Sequence, residues 1–186
     1  MSDANSLALN DVGDVVLSDA LTIEALAHPD RFRLFNHVQR NGPVPEAELA
    51  EALGIPGDGL GASLRVLADA GLLTLSASGW TAPGNGLYVD AVAPDTESAV
   101  RRLYEVMILD TTDLPPRWVS DVAGRLDDDW FLSSGMFNAR VTVTRDELDD
   151  LQVKLEELLA PYLSRDDAPP GVKKVRVLSY FMAEAD

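Results

Sequence analysis

Residues 46–73 read EAELAEALGIPGDGLGASLRVLADAGLL, and this stretch decides the fold. Leu49 and Leu53, then Leu60, Leu64 and Leu67, recur at helical spacing, so two short helices each present one apolar face to a common small core. Gly54 suits the left-handed residue that stops the first helix, and Asp58 suits a cap for the second, expected over about 59–70. Two helices joined by so short a turn form a helix-turn-helix. Ala70-Gly71-Leu72-Leu73 then ends the second helix and starts a strand.

Downstream, 73–76 has the composition of a strand and Ala77-Ser78-Gly79 that of a turn. Residues 80–89 read as a return strand interrupted by Pro83-Gly84-Asn85-Gly86. Together they make a two-stranded wing. Upstream, Ser18 can cap a helix carrying Leu21, Ile23, Ala25 and Leu26. Pro29 at a first helical position opens another over 31–38, closed by Asn41-Gly42. Residues 1–17 are expected to be a flexible N-terminus, in which Val12, Val15, Val16 and Leu17 begin an apolar element.

The motif ALAHPDRFRLFNHV at 25–38, followed at the right distance by the stretch above with its LADAGLL, resembles the winged helix-turn-helix of the ArsR-like bacterial transcription regulators. The resemblance implies a mainly α, α+β fold with a winged domain over 18–93. It also implies a dimerisation helix within 94–126, where Val100, Leu103, Tyr104, Met107 and Ile108 form an apolar stripe. After Leu114-Pro115-Pro116 breaks the chain, a short helix carries Trp118, Val119, Val122 and Leu126.

An α+β C-terminal unit is expected over 127–186. Residues 136–143 alternate apolar and polar, Thr144 and Glu147 fit a capping box, and a helix with Leu148, Leu151, Leu155, Leu158 and Leu159 follows. KKVRVLSYF at 173–181 reads as a second strand pairing with the first. DDDWFLSSG and TRDELDDLQVKLEELLAPY, at 127–135 and 144–162, resemble the C-terminal part of a subgroup of the same family. Trp118, Trp130, Phe131, Phe137, Tyr162 and Phe181 are either core or the lining of a pocket for a hydrophobic effector.

In the family the exposed face of the second helix enters the major groove, which here points to positions 56–63. The candidates for DNA contact are Arg65, Ser63, Ala62, Gly61, Asp58, Arg40 and, on the wing, Ser78. Gly61 and Ala62 cannot reach a base edge, and Asp58 has the wrong sign for phosphate. The charge balance is also adverse. The chain of 186 residues carries −16 overall, and 18–92 holds Arg31, Arg33, Arg40 and Arg65 against nine carboxylates, a net −5. An acidic protein meets a phosphate backbone only where its positive charge is concentrated. Acidity with just three lysines (Lys154, Lys173, Lys174) also fits a salty cytoplasm.

Other chemistries have little to stand on. With no cysteine, and only His28 and His37 as imidazoles, neither a disulfide nor a thiolate metal site exists, and a metal cofactor is not expected. Asp127-Asp128-Asp129 lacks the glycine and downstream glutamate of a calcium loop. No nucleophilic triad or phosphate-binding glycine loop is legible, so an enzyme is not expected. No run suits a membrane span or a secretory signal. The expectation is a cytoplasmic, dimeric regulator that binds double-stranded DNA without a cofactor. The alternative is a winged-helix module that has lost DNA readout and binds a protein through its glycine-rich helix.

Overall fold

The computed structural model describes residues 7–90, 94–163 and 169–184. The chain falls into two compact units, the first ending at Thr142 and the second beginning at Val143. In chain order the first contains β1 (Val15–Leu17), α1 (Ala20–Leu26), α2 (Pro29–Asn41), α3 (Glu46–Leu53), α4 (Gly57–Asp69), β2 (Thr74–Ser76), β3 (Gly79–Thr81) and β4 (Leu87–Val89). Next come a single 3-10 turn (Pro94–Thr96), α5 (Glu97–Thr111), α6 (Leu114–Arg117), a π turn and a 3-10 turn through Arg125, and α7 (Asp128–Ser133). The second unit is built on α8 (Arg145–Leu163).

α2 is the centre of the first unit. Phe32, Leu34, Phe35 and Val38 are buried along it, and α1, α3, α4, α5 and β3 all pack on it or on one another around it. α4 contributes Leu60, Leu64 and Leu67 to the same core. The cap of α1 is Asp19, one residue beyond the expected Ser18: its carboxylate accepts from the Thr22 amide (2.9 Å) and hydroxyl (2.6 Å). A carboxylate with two such donors holds the helix start better than Ser18 one residue too early. At α2 the capping side chain is His28, whose Nδ1 accepts from the Asp30 amide at 3.3 Å, so this imidazole is occupied locally.

Gly54 ends α3 in the left-handed conformation with φ 63°, as its position implied. α4 starts two residues earlier than expected, at Gly57, with Pro56 in the cap position and no side-chain cap. Proline preorganises the entry backbone, which leaves Asp58 inside the first turn rather than before it.

The wing is shorter than the pattern implied. β2 and β3 pair antiparallel through Thr74–Thr81, Leu75–Trp80 and Ser76–Gly79, and Val44 adds a bridge to Trp80 with two hydrogen bonds of 2.9 Å. Gly79 sits at φ 129°, where a Cβ would lie 2.6 Å from the Val44 carbonyl carbon; only glycine fits this crossing. β4 is not part of the return strand. It pairs in parallel with β1, Val15 against Leu87 through Leu17 against Val89, so the end of the expected flexible N-terminus is a strand with Val15 and Leu17 fully buried. Gln39 of α2 donates to the Pro83 and Gly86 carbonyls (3.2 and 3.3 Å), fixing the loop that redirects the chain away from the wing.

Leu114-Pro115-Pro116 opens α6 instead of breaking the chain, because a proline in the first turn gives up an amide that has no helical partner anyway. α8 begins with the expected capping box: the Thr144 amide donates to Glu147 Oε2 at 2.7 Å, and the Glu147 amide donates to Thr144 Oγ1 at 3.2 Å. The Thr144 amide and hydroxyl, both donating to the Glu147 carboxylate, hold that carboxyl below its ordinary value. Residues 136–143 and 173–181, expected as paired strands, are not strands. Their alternating side chains lie exposed, Phe137 at 93%, and an amphipathic strand with its apolar face uncovered is marginal in water. Among the described residues no helix is long and apolar enough to cross a membrane.

Candidate nucleic-acid interface

The three-residue turn Gly54-Ile55-Pro56 sets α4 across α2 with Ile55 buried beneath it. Asp58, Ala62, Arg65 and Asp69 follow one another at spacings of four, three and four, and all four are exposed, opposite the buried Leu60, Leu64 and Leu67. This is the stripe a recognition helix would offer to a groove. Gly61 and Ser63 border it, half-buried.

The chemistry of the stripe is thin. Arg65 lays its guanidinium back along the helix, Nε donating to the Gly61 carbonyl at 3.2 Å. Asp58 accepts from the Gly59 amide at 3.0 Å, placing a carboxylate at the start of α4. Arg40 is exposed in the last turn of α2. On the wing, Ser78 is exposed at the tip with its hydroxyl 3.0 Å from that of Ser76, and Ser76 donates to the Gly79 carbonyl at 2.7 Å. The tip is therefore neutral and bonded to itself.

Two further arginines have roles that the pattern of residues did not reveal. Arg31 donates through Nε to the Ala25 carbonyl and through Nη2 to Glu24 (2.9 Å), closing the C-terminal end of α1. Burial there lowers its pKa. Arg33 donates to the Leu53 carbonyl at 3.3 Å, at the end of α3, and lies 3.8 Å from Asp30. Helix C-termini attract cations, and neither α1 nor α3 has a basic residue in its own last turn. That deficit is the one sequence signal that could have flagged both arginines.

The expected dimerisation stripe on α5 divides in two. Leu103 is fully buried with Ala99 and Val106 in its own unit, where α5 packs on α1 and α2, so it is core and not an outward contact. Val100 and Met107 are partly buried against the same core, while Tyr104 and Ile108 remain exposed. An ion pair from Arg102 to Glu24 ties α5 to α1. Of the aromatic residues expected in core or pocket, Trp118 and Trp130 are half-buried, and Phe131, Phe137, Tyr162 and Phe181 are exposed.

Known proteins match the part of the chain that carries this geometry. Residues 26–76 match the family model described as a helix-turn-helix domain. The HTH-type transcriptional regulator NmtR of Mycobacterium tuberculosis is 43% identical over 54 residues, which is 29% of this chain and 44% of that protein. The chain thus matches less than half the length of this relative. The α3–turn–α4 pair and these matches agree: residues 26–76 form a helix-turn-helix domain similar to that of an HTH-type transcriptional regulator.

Proposed function

We propose that the protein is a DNA-binding transcription regulator, cytoplasmic and without a cofactor, that works as a homodimer. The observation that supports this reading is the exposed stripe of α4, followed in the chain by the β2–β3 hairpin, the element order of a winged helix-turn-helix. Ser63 and Arg65 supply the side-chain donors for base edges, and Arg40 and Ser78 approach the flanking phosphates. The Gly57 and Asp58 amides at the start of α4, where Pro56 supplies no side-chain cap, add phosphate donors. Tyr104 and Ile108 of α5 form the subunit contact. A hydrophobic effector, held within the first unit by Trp118, Trp130 and Phe131, is compatible with this scheme.

Titration of a labelled duplex from upstream of the protein's own gene tests the reading. Replacing Ser63 and Arg65 together with alanine is expected to weaken binding about tenfold or more. Unchanged binding by that variant refutes the assignment of α4 as the reading helix. Sedimentation of a Tyr104→Glu, Ile108→Glu variant tests the subunit contact, with a monomer as the expected result.

A second reading is supported by the surface over Gly57 and Gly61, where an added Cβ would meet nothing within 4 Å. With no packing reason for these glycines, a bare helix face can accept close approach by a protein partner. Absence of DNA binding together with an intact fold would favour it.

A further inference from the structure

We propose that this domain binds duplex DNA with a net uptake of cations, so that affinity rises with monovalent salt. The inference rests on the regulator reading and specifies the ionic control of the same face. From α3 through β3, residues 46–81 carry five carboxylates (Glu46, Glu48, Glu51, Asp58, Asp69), all exposed, and one guanidinium, Arg65. On the neighbouring α2, Arg31 and Arg33 hold backbone carbonyls at the ends of α1 and α3. Arg65 itself bonds back to Gly61. The wing tip offers hydroxyls alone.

A basic protein neutralises phosphates and releases their condensed counterions, which is why its affinity falls as salt rises. Here the balance has the opposite sign. Few phosphates are neutralised by the protein, so few counterions leave the DNA. Each carboxylate of α3 or α4 brought towards the phosphates adds a repulsion that accumulated cations relieve. The complex then holds more cations than its separated components, and mass action makes salt a promoter of binding. The uptake is diffuse: among the described residues no three Asp, Glu or His side chains converge to hold a metal ion. Sodium is therefore expected to replace potassium with little change.

The test is fluorescence anisotropy of the full chain with a labelled duplex from upstream of its own gene, from about 0.05 to about 2 M KCl. Circular dichroism at each salt concentration separates binding from folding. The expected result is at least a tenfold rise in affinity for each tenfold rise in KCl, equivalent to a net uptake of about one cation or more per complex. A Glu48→Gln, Glu51→Gln variant is expected to bind more tightly at low salt and to show a flatter salt response. Binding by folded protein that weakens as KCl rises overturns this inference and leaves the regulator reading standing. A rising affinity with the same slope in the variant overturns the assignment of uptake to α3. No binding at any salt, with the protein folded, removes the regulator reading and this inference with it.

Discussion

α4 and α8 have the same kind of sequence, leucines at helical spacing among acidic residues, and entirely different surroundings. Leu64 of α4 is 2% exposed, held between its neighbours and α2, while Leu158 of α8 is 68% exposed. Periodicity specifies which side of a helix is apolar; burial depends on whether another element reaches that side. In the first unit the short turns at 27–28, 42–45 and 54–56 bring α1 to α4 back on one another within the first 69 residues. In the second unit residues 173–181, expected as a strand, are not one, and α8 buries none of its residues.

The sharpest way to break that contrast is to truncate one leucine in each helix. Leu64→Ala is expected to cost about 2–5 kcal/mol and Leu158→Ala less than about 0.5 kcal/mol, read from urea midpoints. Equal costs would mean that α8 is packed in solution. A comparable loss, about 2–4 kcal/mol, is expected for Gly79→Ala, since the positive φ and the 2.6 Å approach to Val44 oppose any Cβ.

The caps sharpen the comparison further. Burial pushes the Asp19 carboxyl up, but the Thr22 hydroxyl and the amides around it outweigh this and hold the group below the ordinary carboxylate value. A folded pKa below the unfolded one stabilises at pH above the unfolded value and is lost as pH falls through the folded value. Asp19→Ala is therefore expected to cost about 1 kcal/mol at neutral pH, with the penalty fading below about pH 4. Thr144→Ala removes an equivalent cap from α8. It is expected to speed amide exchange in the first turn of that helix without moving the global midpoint, because α8 buries none of its residues.

The smallest effect has the opposite sign. Gly61 is in a helix interior with open space around it, so Gly61→Ala is expected to stabilise by about 0.5–1 kcal/mol. A loss of stability would mean that the position is packed in a way this structure does not contain.

What was legible in the sequence follows the same division. The periodic leucines of α3 and α4, the stop at Gly54 and the Thr144–Glu147 box are local patterns, and each appears where the residues placed it. The parallel pairing of β1 with β4 was hidden because it joins segments about seventy residues apart through three-residue strands, too short for any period to register. Leu103 was misread for a related reason: a helix with apolar residues on two faces does not disclose which one meets its own core. At the candidate site the positions 58–65 were legible and the state of the charges was not. The capping bonds of Arg31 and Arg33 are tertiary facts, set where helices of different sequence position meet.

Hydroxyl-radical footprinting of DNA from upstream of the protein's own gene tests the central claim most directly. A dimeric winged-helix regulator predicts two protected patches about one helical turn, roughly 10 base pairs, apart. It also predicts that both are lost in the Ser63→Ala, Arg65→Ala variant. Protection no different from that of random duplex, with folded protein at every salt concentration, would contradict it and leave the winged helix as a surface for other proteins.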